Sequence, residues 1–229
     1  MVAAKSTRTA LWCGAVAGPL FLLVATLLGA TRRRYDATRL PVSLLAVGRY
    51  GWTQIANFVL CGILMVVFAA GLHFSLEGRG ATWGPIMFAL IGIGLVGAGL
   101  FATDPGRGFP PFGEAEPGPT LHGHFHDVFS LLVFAGFPAA AFVMAAHFTG
   151  HGERRWAVGT RACGWVLAAG FVVVLVAFNR EGALADVAGV IQRVWLAVAF
   201  GWLTAVSIHV LQRGATVRSL PGRIDTAGC

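Results

Sequence analysis

The stretch Trp52–Phe74, WTQIANFVLCGILMVVFAAGLHF, decides the fold of this chain. It holds no Asp, Glu, Lys or Arg, and almost all of its residues are apolar. A helix needs about 20 consecutive apolar residues to cross the hydrocarbon core of a bilayer. The stretch therefore predicts a transmembrane helix.

Similar apolar runs lie on both sides of this stretch. The chain is 56% hydrophobic and 12% charged, whereas a soluble domain is roughly 45–50% apolar and about 25% charged. We therefore predict an all-α, polytopic membrane protein whose six transmembrane helices form one bundle over residues 11–211, with short tails at 1–10 and 212–229. The other five runs are Leu11–Ala30, Trp83–Thr103, His122–Phe148, Val158–Phe178 and Val187–Leu211.

The first apolar run and the four cysteines both bear on the class of protein. A signal peptide is the competing interpretation of the first run, but no small-residue cleavage site precedes the segment TRRRYD at 31–36. Three of the four cysteines lie inside apolar runs and Cys229 is the last residue. This pattern predicts packing thiols and no disulfide framework.

The distribution of Lys and Arg indicates orientation. Six spans place both termini on one side, and nine of the 17 basic residues fall there, against seven on the other side. Basic residues favour the cytoplasm, so we predict a multi-pass protein of the cell membrane with cytoplasmic termini. The net charge of +7 is then a topology signal, and without a basic soluble face we expect no nucleic-acid partner.

The longest polar interruption is Asp104–Asp127, DPGRGFPPFGEAEPGPTLHGHFHD, with five prolines and five glycines. It begins with an acid at the end of the third run and ends with three histidines and a second acid. In a helix, His122 and His126 stand on the same face because they are four residues apart. This segment supplies the catalytic candidates Asp104, His122, His126 and Asp127.

Polar residues in other spans lie near the same membrane surface. Gln54 and Asn57 are close to the start of the second span, and Gln192 and Arg193 are close to the start of the sixth. Ionisable groups at this depth are costly unless they face a cavity, so by default they mark a function. We predict one site near the outer surface, with the substrate-binding candidates Asp36, Trp52, Gln54, Asn57, Glu181, Gln192 and Arg193.

Several alternatives remain open for these residues. Gln54 and Asn57 would also suit interhelical hydrogen bonding, and Arg193 would also suit snorkelling to the interface. His122 and His126 would suit two corners of a zinc site, with a third ligand from Asp104, Asp127 or Asp36. The chain lacks an H-E-x-x-H pattern, so proton chemistry without a metal is simpler. We predict no bound metal and no cofactor.

The position of each acid suggests its role. Asp104 precedes Pro105, which disfavours helix at the preceding residue, so we expect its carboxylate to point into the cavity as proton donor. We assign His126 as proton acceptor. We expect Asp127 to orient His126 or to pair with Arg193. We therefore assign Asp127 and Arg193 as positioning residues.

The order of motifs resembles a known family. The segments YDATRLPVS, GRYGWTQIANFVLCGIL, EGRGATWGP, GLFATDPGRGFPP, LHGHFHD, GERRWA and VIQRVWLAVAFGW are similar to the bacterial six-helix membrane family catalogued as domain of unknown function 998. The similarity extends from about Leu11 to Arg213. It implies a six-span, all-helical fold and assigns no activity.

Two functions from different classes fit these observations. The first is an intramembrane enzyme for an isoprenoid or lipid substrate, most concretely a small terpene cyclase, in which a carboxyl group protonates the substrate and aromatic walls stabilise a cation. The second is a non-catalytic protein that binds or senses lipid or supports a transporter. No Ser or Cys nucleophile lies in a motif with a base, which argues against covalent hydrolysis. The expected partner is a membrane lipid or prenylated small molecule, and the oligomeric state is left open.

Overall fold

The computed structural model describes residues 2–78, 80–110, 118–179 and 182–219. Helices are the only extended regular elements in these ranges, so the predicted all-α class is confirmed. A 3-10 helix, Val42–Ala46, interrupts the first loop. The α-helices are α1 (Val2–Thr31), α2 (Trp52–His73), α3 (Gly80–Leu100), α4 (Leu121–Gly150), α5 (Arg154–Asn179), α6 (Ala183–Asp186) and α7 (Ala188–Ser219).

Six helices of the described chain, all except the four-residue α6, are long and apolar enough to cross a membrane. The predicted six-span polytopic membrane protein is confirmed. Some helices extend past their apolar runs; for example, α1 begins at Val2 and α7 continues to Ser219.

The spanning helices form a closed ring. Each of α1 to α5 packs against the next, α5 packs against α7, and α7 returns to α1. The centre is aromatic: Phe21 stacks on Phe200 with centroids 4.6 Å apart, and Phe137 meets Phe200 edge to face at 5.3 Å. Only 22% of the α5 span is buried inside the protein, the lowest share of the six. Helix α5 is therefore the peripheral helix of the bundle.

Small residues set the closest helix contacts. A Cβ added at Gly62 would lie 2.6 Å from the carbonyl oxygen of Gly92, and one added at Gly92 would lie 2.7 Å from the carbonyl oxygen of Gly62. The backbones of α2 and α3 thus touch where both side chains are absent, as small residues permit in membrane bundles. On another side of α3, Gly94 lies close to the Phe129 carbonyl of α4.

The first loop is not the simple polar connection that its arginines suggest. Its 3-10 helix buries Val42, Leu44, Leu45 and Ala46. Leu45 is fully buried, so this segment belongs to the hydrophobic core. Loop 1 therefore folds down onto the open end of the ring and closes it.

Candidate functional site

A cavity of about 530 Å³ lies inside the bundle at the end that carries loops 1, 3 and 5. Every spanning helix, the 3-10 helix and loop 3 contribute to its wall. Its apolar lining is Phe21, Pro41, Val42, Phe58, Leu95, Ala98, Leu131, Val133, Phe134, Phe171, Val174, Leu175, Phe178 and Leu196. Its polar lining is Ser43, Thr103, Arg107, His126, Asp127, Ser130, Asn179 and Gln192.

The lining is graded from apolar to polar. The polar residues lie near the helix ends or in the loops, whereas Phe21, Leu95, Phe134 and Phe171 lie deeper in their helices. A pocket with an apolar body and few polar groups suits a molecule whose orientation those groups fix. The cavity thus matches an amphiphile with its polar end toward the loops.

His126 is held in one orientation by backbone carbonyls at the end of α3. Its side chain is buried, and its Nδ1 lies 3.0 Å from the carbonyl oxygen of Ala98 and 2.9 Å from that of Phe101. Carbonyl oxygens only accept, so we assign the proton to Nδ1, which leaves a lone pair on Nε2 of the neutral ring. No hydrogen bond to Nε2 comes from the described residues. His126 thus lines the cavity with its ring orientation fixed by these two hydrogen bonds.

Asp127 is the carboxylate that lines the cavity. It lies on the exposed side of α4, next to His126 in the chain. The expectation that Asp127 orients His126 is wrong, because the imidazole Nδ1 bonds to the carbonyl oxygens of Ala98 and Phe101 instead. Asp127 receives no hydrogen bond from the part of the chain that the structure describes. Its carboxyl group is therefore available to a bound molecule.

Asp104 does not point into the cavity as its position before Pro105 suggests. Its carboxylate accepts hydrogen bonds from the backbone N–H of Thr120, at 2.9 Å, and from the Thr120 hydroxyl. Thr120 is the N-cap of α4, where its Oγ1 accepts from the Gly123 N–H. These hydrogen bonds from Thr120 hold the pKa of the Asp104 carboxyl below its usual value. Asp104 therefore fixes the start of α4 and is a poor proton donor.

Arg193 anchors loop 1 rather than pairing with an acid. Its Nη1 donates to the carbonyl oxygens of Ala37, Leu40 and Gly189, and its Nη2 donates to the Tyr35 hydroxyl at 2.6 Å. No carboxylate among the described residues bonds to it, so the expected ion pair is wrong for those acids. Arg193 is a positioning residue, but it acts on the loop.

Three further hydrogen bonds complete this anchor. The Tyr35 hydroxyl donates to the carbonyl oxygens of Leu40 and Pro41. The amide oxygen of Gln192 accepts from the Val42 N–H at 2.8 Å. Gln192 also lines the cavity. Together these side chains hold the 3-10 helix over the cavity as its roof.

Asn57 bridges α1 and α2, the alternative that the sequence left open, whereas the Gln54 side chain bonds, among the described residues, only to Asn57 within α2. The Asn57 side-chain amide donates to the Phe21 carbonyl of α1 at 3.3 Å and to the Gln54 amide oxygen at 3.4 Å. Both residues are buried, and neither lines the cavity. The Asn57 contact joins α1 to α2 behind the cavity wall.

The remaining predicted residues lie away from the cavity. Asp36 accepts hydrogen bonds from the N–H and hydroxyl of Thr38, which lower the pKa of its carboxyl. Trp52 is 65% exposed on the outside of α2. His122 is exposed, with its ring 5.3 Å from that of Phe101. Glu181 lies outside the described residues.

The predicted convergence on one cavity is therefore correct for only part of the set. The structure brings His126, Asp127 and Gln192 to the cavity, and it places Asp36, Trp52, Gln54, Asn57, Asp104, His122 and Arg193 elsewhere. In the described ranges, no group of three or more His, Cys, Asp or Glu side chains has an arrangement that would hold a metal ion.

Arg107 and Asn179 are among the polar residues of the cavity that sequence reasoning missed. Arg107 adopts a positive φ of 57°; its guanidinium donates to the Phe178 carbonyl and lies 5.1 Å from the centroid of the Phe178 ring. Arg107 therefore connects loop 3 to the end of α5. The position of Arg107 between Asp104 and Pro110-Pro111 was a signal in the sequence that could have marked it as a candidate. Its contact with Phe178, 71 residues away, could not be inferred from the sequence.

Comparison with known protein families shows to which family the chain belongs. The family model described as "Protein of unknown function (DUF998)" matches residues 15–209. The chain belongs to the DUF998 family. The resemblance inferred from the motifs is confirmed. Neither a curated protein nor a solved structure matches this DUF998 protein.

Proposed function

We propose that this DUF998 protein is an intramembrane enzyme that acts on an isoprenoid or other lipid by acid–base chemistry, most concretely as a small terpene cyclase. The observation that carries the proposal is the cavity, in which Asp127 and His126 meet an aromatic lining. Asp127 takes the role of proton donor in place of Asp104, whose carboxylate is engaged by Thr120.

The proposed reaction balances within the cavity. The protonated Asp127 carboxyl transfers its proton to an alkene carbon, leaving a carboxylate and a carbocation. An internal alkene attacks the cation and closes a ring, and Nε2 of His126 then removes a proton to form the product alkene. The imidazolium returns this proton to Asp127 through solvent, so the net reaction is an isomerisation.

The aromatic lining supports this chemistry. The rings of Phe21, Phe58, Phe134 and Phe171 line the cavity. The face of an aromatic ring attracts a cation by roughly 0.5–2 kcal/mol, more when water is excluded. A carbocation formed beside these rings is thus stabilised along the apolar part of the cavity.

The location of the protein follows from its basic residues. We propose that it resides in the cell membrane with both termini in the cytoplasm, because nine of its 17 Lys and Arg lie on the side of the termini. The cavity then faces the outer leaflet, from which a lipid substrate is recruited.

Product analysis tests this function. Membranes containing the wild type would be supplied with a panel of prenylated compounds, and extracts would be searched by mass spectrometry for an isomerised product. We expect a product with the wild type and not with Asp127→Asn, while Asp104→Asn retains turnover. Turnover that survives Asp127→Asn would refute the assignment of the acid; no product across a broad panel would refute catalysis.

The non-catalytic alternative is favoured by one observation. Asp127 is exposed on α4, whereas a carbocation survives only where water is excluded. In this alternative, the same cavity binds or senses a lipid, and Asp127 holds its head group. Retention of one lipid species through purification, without any chemical change in it, would distinguish this role from catalysis.

A further inference from the structure

The wall of the cavity is open on one side, between α4 and α5. Among its apolar lining residues, Leu131 of α4 and Leu175 of α5 are 53% and 46% exposed, whereas Val133 and Val174 beside them are each 4% exposed. A residue that both lines the cavity and faces outward marks its rim. The rim therefore lies along the α4–α5 seam, in the membrane-spanning part of both helices.

The seam is closed below this rim. The rings of Phe142 and Trp165 meet edge to face at 5.1 Å, and those of Phe134 and Phe171 stack at 5.5 Å. Above these pairs, Val133 and Val174 line the cavity and are buried, and the first exposed apolar lining residues are the leucines of the rim. The gap is thus confined to the part of the seam nearest loops 3 and 5.

The rim has two levels of different polarity. Asp127 and Leu131 are four residues apart on α4, and Leu175 and Asn179 are four residues apart on α5, so each pair shares one helix face. Because α4 and α5 run in opposite directions, the leucines face each other one turn deeper than Asp127 and Asn179. Arg107 of loop 3 lies against the end of α5, at the upper level.

This order matches the chemistry of a membrane amphiphile. The rim residues Leu131 and Leu175 lie within the hydrocarbon region. They do not oppose the passage of a lipid chain, since the chain stays in an apolar medium. Asn179 and Arg107 at the upper level offer hydrogen bonds and a positive charge to a polar head. A water-soluble ligand would gain nothing from a leucine-lined opening into the bilayer.

We propose that the α4–α5 seam is a lateral portal through which a single-chain amphiphile, such as a prenyl alcohol, enters from the membrane, with its head at Asn179 and Arg107. This inference rests on the proposed function, since it assumes that a lipid-like molecule occupies the cavity. The portal sets which substrates are accepted: the chain must be slim enough to pass between Leu131 and Leu175.

Photo-crosslinking tests the portal without requiring turnover. Wild type would be placed in phosphatidylcholine vesicles that contain a prenyl alcohol with a diazirine in its chain, and labelled peptides would be mapped by mass spectrometry. We expect labels on peptides containing Phe134 and Phe171. The variant Leu131→Trp/Leu175→Trp blocks the opening and should lose this labelling several-fold, whereas Leu131→Ala/Leu175→Ala should label faster.

The matched control is Val128→Trp/Val172→Trp. Both valines are exposed on the same helices, at 59% and 58%, and neither lines the cavity. This control should label like the wild type. Undiminished cavity labelling in the blocked variant, or an equal loss in the control, would overturn the portal while leaving the proposed function standing. If the wild type itself shows no cavity labelling, the proposed function fails, and the portal fails with it.

Discussion

At the scale of single residues, two aspartates near the start of α4 have different surroundings and therefore different roles. Asp104 receives two hydrogen bonds from Thr120, whereas Asp127 faces the cavity. A carboxylate that accepts hydrogen bonds is stabilised in its charged form. Asp104 is thus a structural anion, whereas Asp127 lines the cavity without a hydrogen-bond donor among the described residues.

Acid titration should reveal the structural role of Asp104. Its pKa is held below the ordinary value of 3.8 in the folded protein. The resulting stability is present above the ordinary pKa and is lost as pH falls through the lower folded value. We expect the melting temperature in detergent to fall less steeply in this acid range for Asp104→Asn than for the wild type.

A control for this titration is Asp186→Asn. Asp186 forms an ion pair with Arg39 in which both side chains are more than half exposed, and such pairs contribute little. This variant should retain the acid dependence of the wild type. Identical slopes for the wild type and Asp104→Asn would contradict the proposed role of the carboxylate.

At the scale of helices, the end of the bundle opposite the cavity is held by one carboxylate. Glu153, just before α5, accepts from His209 Nε2 at 2.5 Å and from Arg213 Nη1, both on α7. The His209 ring stacks on Trp156 of α5 at 4.0 Å. This cluster joins α5, the peripheral helix, to α7.

We expect Glu153→Gln to destabilise the protein by roughly 1–3 kcal/mol, the usual cost of losing hydrogen bonds between charged groups. Its side chain is only 15% exposed, so solvent compensates little. Hydrogen exchange at the start of α5 should rise. Glu77→Gln, an exposed acid in the preceding turn on the same face, is the control. Equal exchange in both variants would show that the cluster does not hold α5.

The glycine contact between α2 and α3 gives a second prediction at this scale. In Gly92→Ala, the new Cβ would lie 2.7 Å from the Gly62 carbonyl oxygen, so the helices must separate. We expect a loss of roughly 1–3 kcal/mol, as for other overpacked sites, measured by thermal unfolding in detergent. Gly201→Ala in α7, with open space around the added Cβ, should leave stability nearly unchanged. A neutral Gly92→Ala would contradict the close contact.

At the scale of the whole molecule, hydropathy predicts the fold, because a membrane-spanning helix forms all the hydrogen bonds of its own backbone in lipid. The six spans were therefore predictable from the sequence, but the roof of the cavity was not. Arg193 looked like the partner of an acid, yet it bonds to carbonyls of a loop about 150 residues away, since only the folded structure brings them together. The depth of His126 and Asp127 in the membrane could be inferred from the sequence. The hydrogen bonds that Thr120 donates to Asp104 could not.

The orientation in the membrane is a prediction for the whole molecule. In a background without the native cysteines, a cysteine replacing Gly118 of loop 3 should react with a membrane-impermeant thiol reagent added outside intact cells. A cysteine replacing Glu77, in the turn between α2 and α3, should react only after lysis. The opposite pattern would invert the assignment of cytoplasmic termini.

Deuterium incorporation tests the central claim most directly, namely that Asp127 transfers a solvent-derived proton to a lipid in the cavity. Membranes containing the wild type would convert the substrate in D₂O, and product mass would be compared with that formed in H₂O. We predict a product carrying a single added deuteron, with the rate reduced by roughly two to four orders of magnitude in Asp127→Asn. Product without deuterium, or unchanged incorporation in Asp127→Asn, would contradict the account.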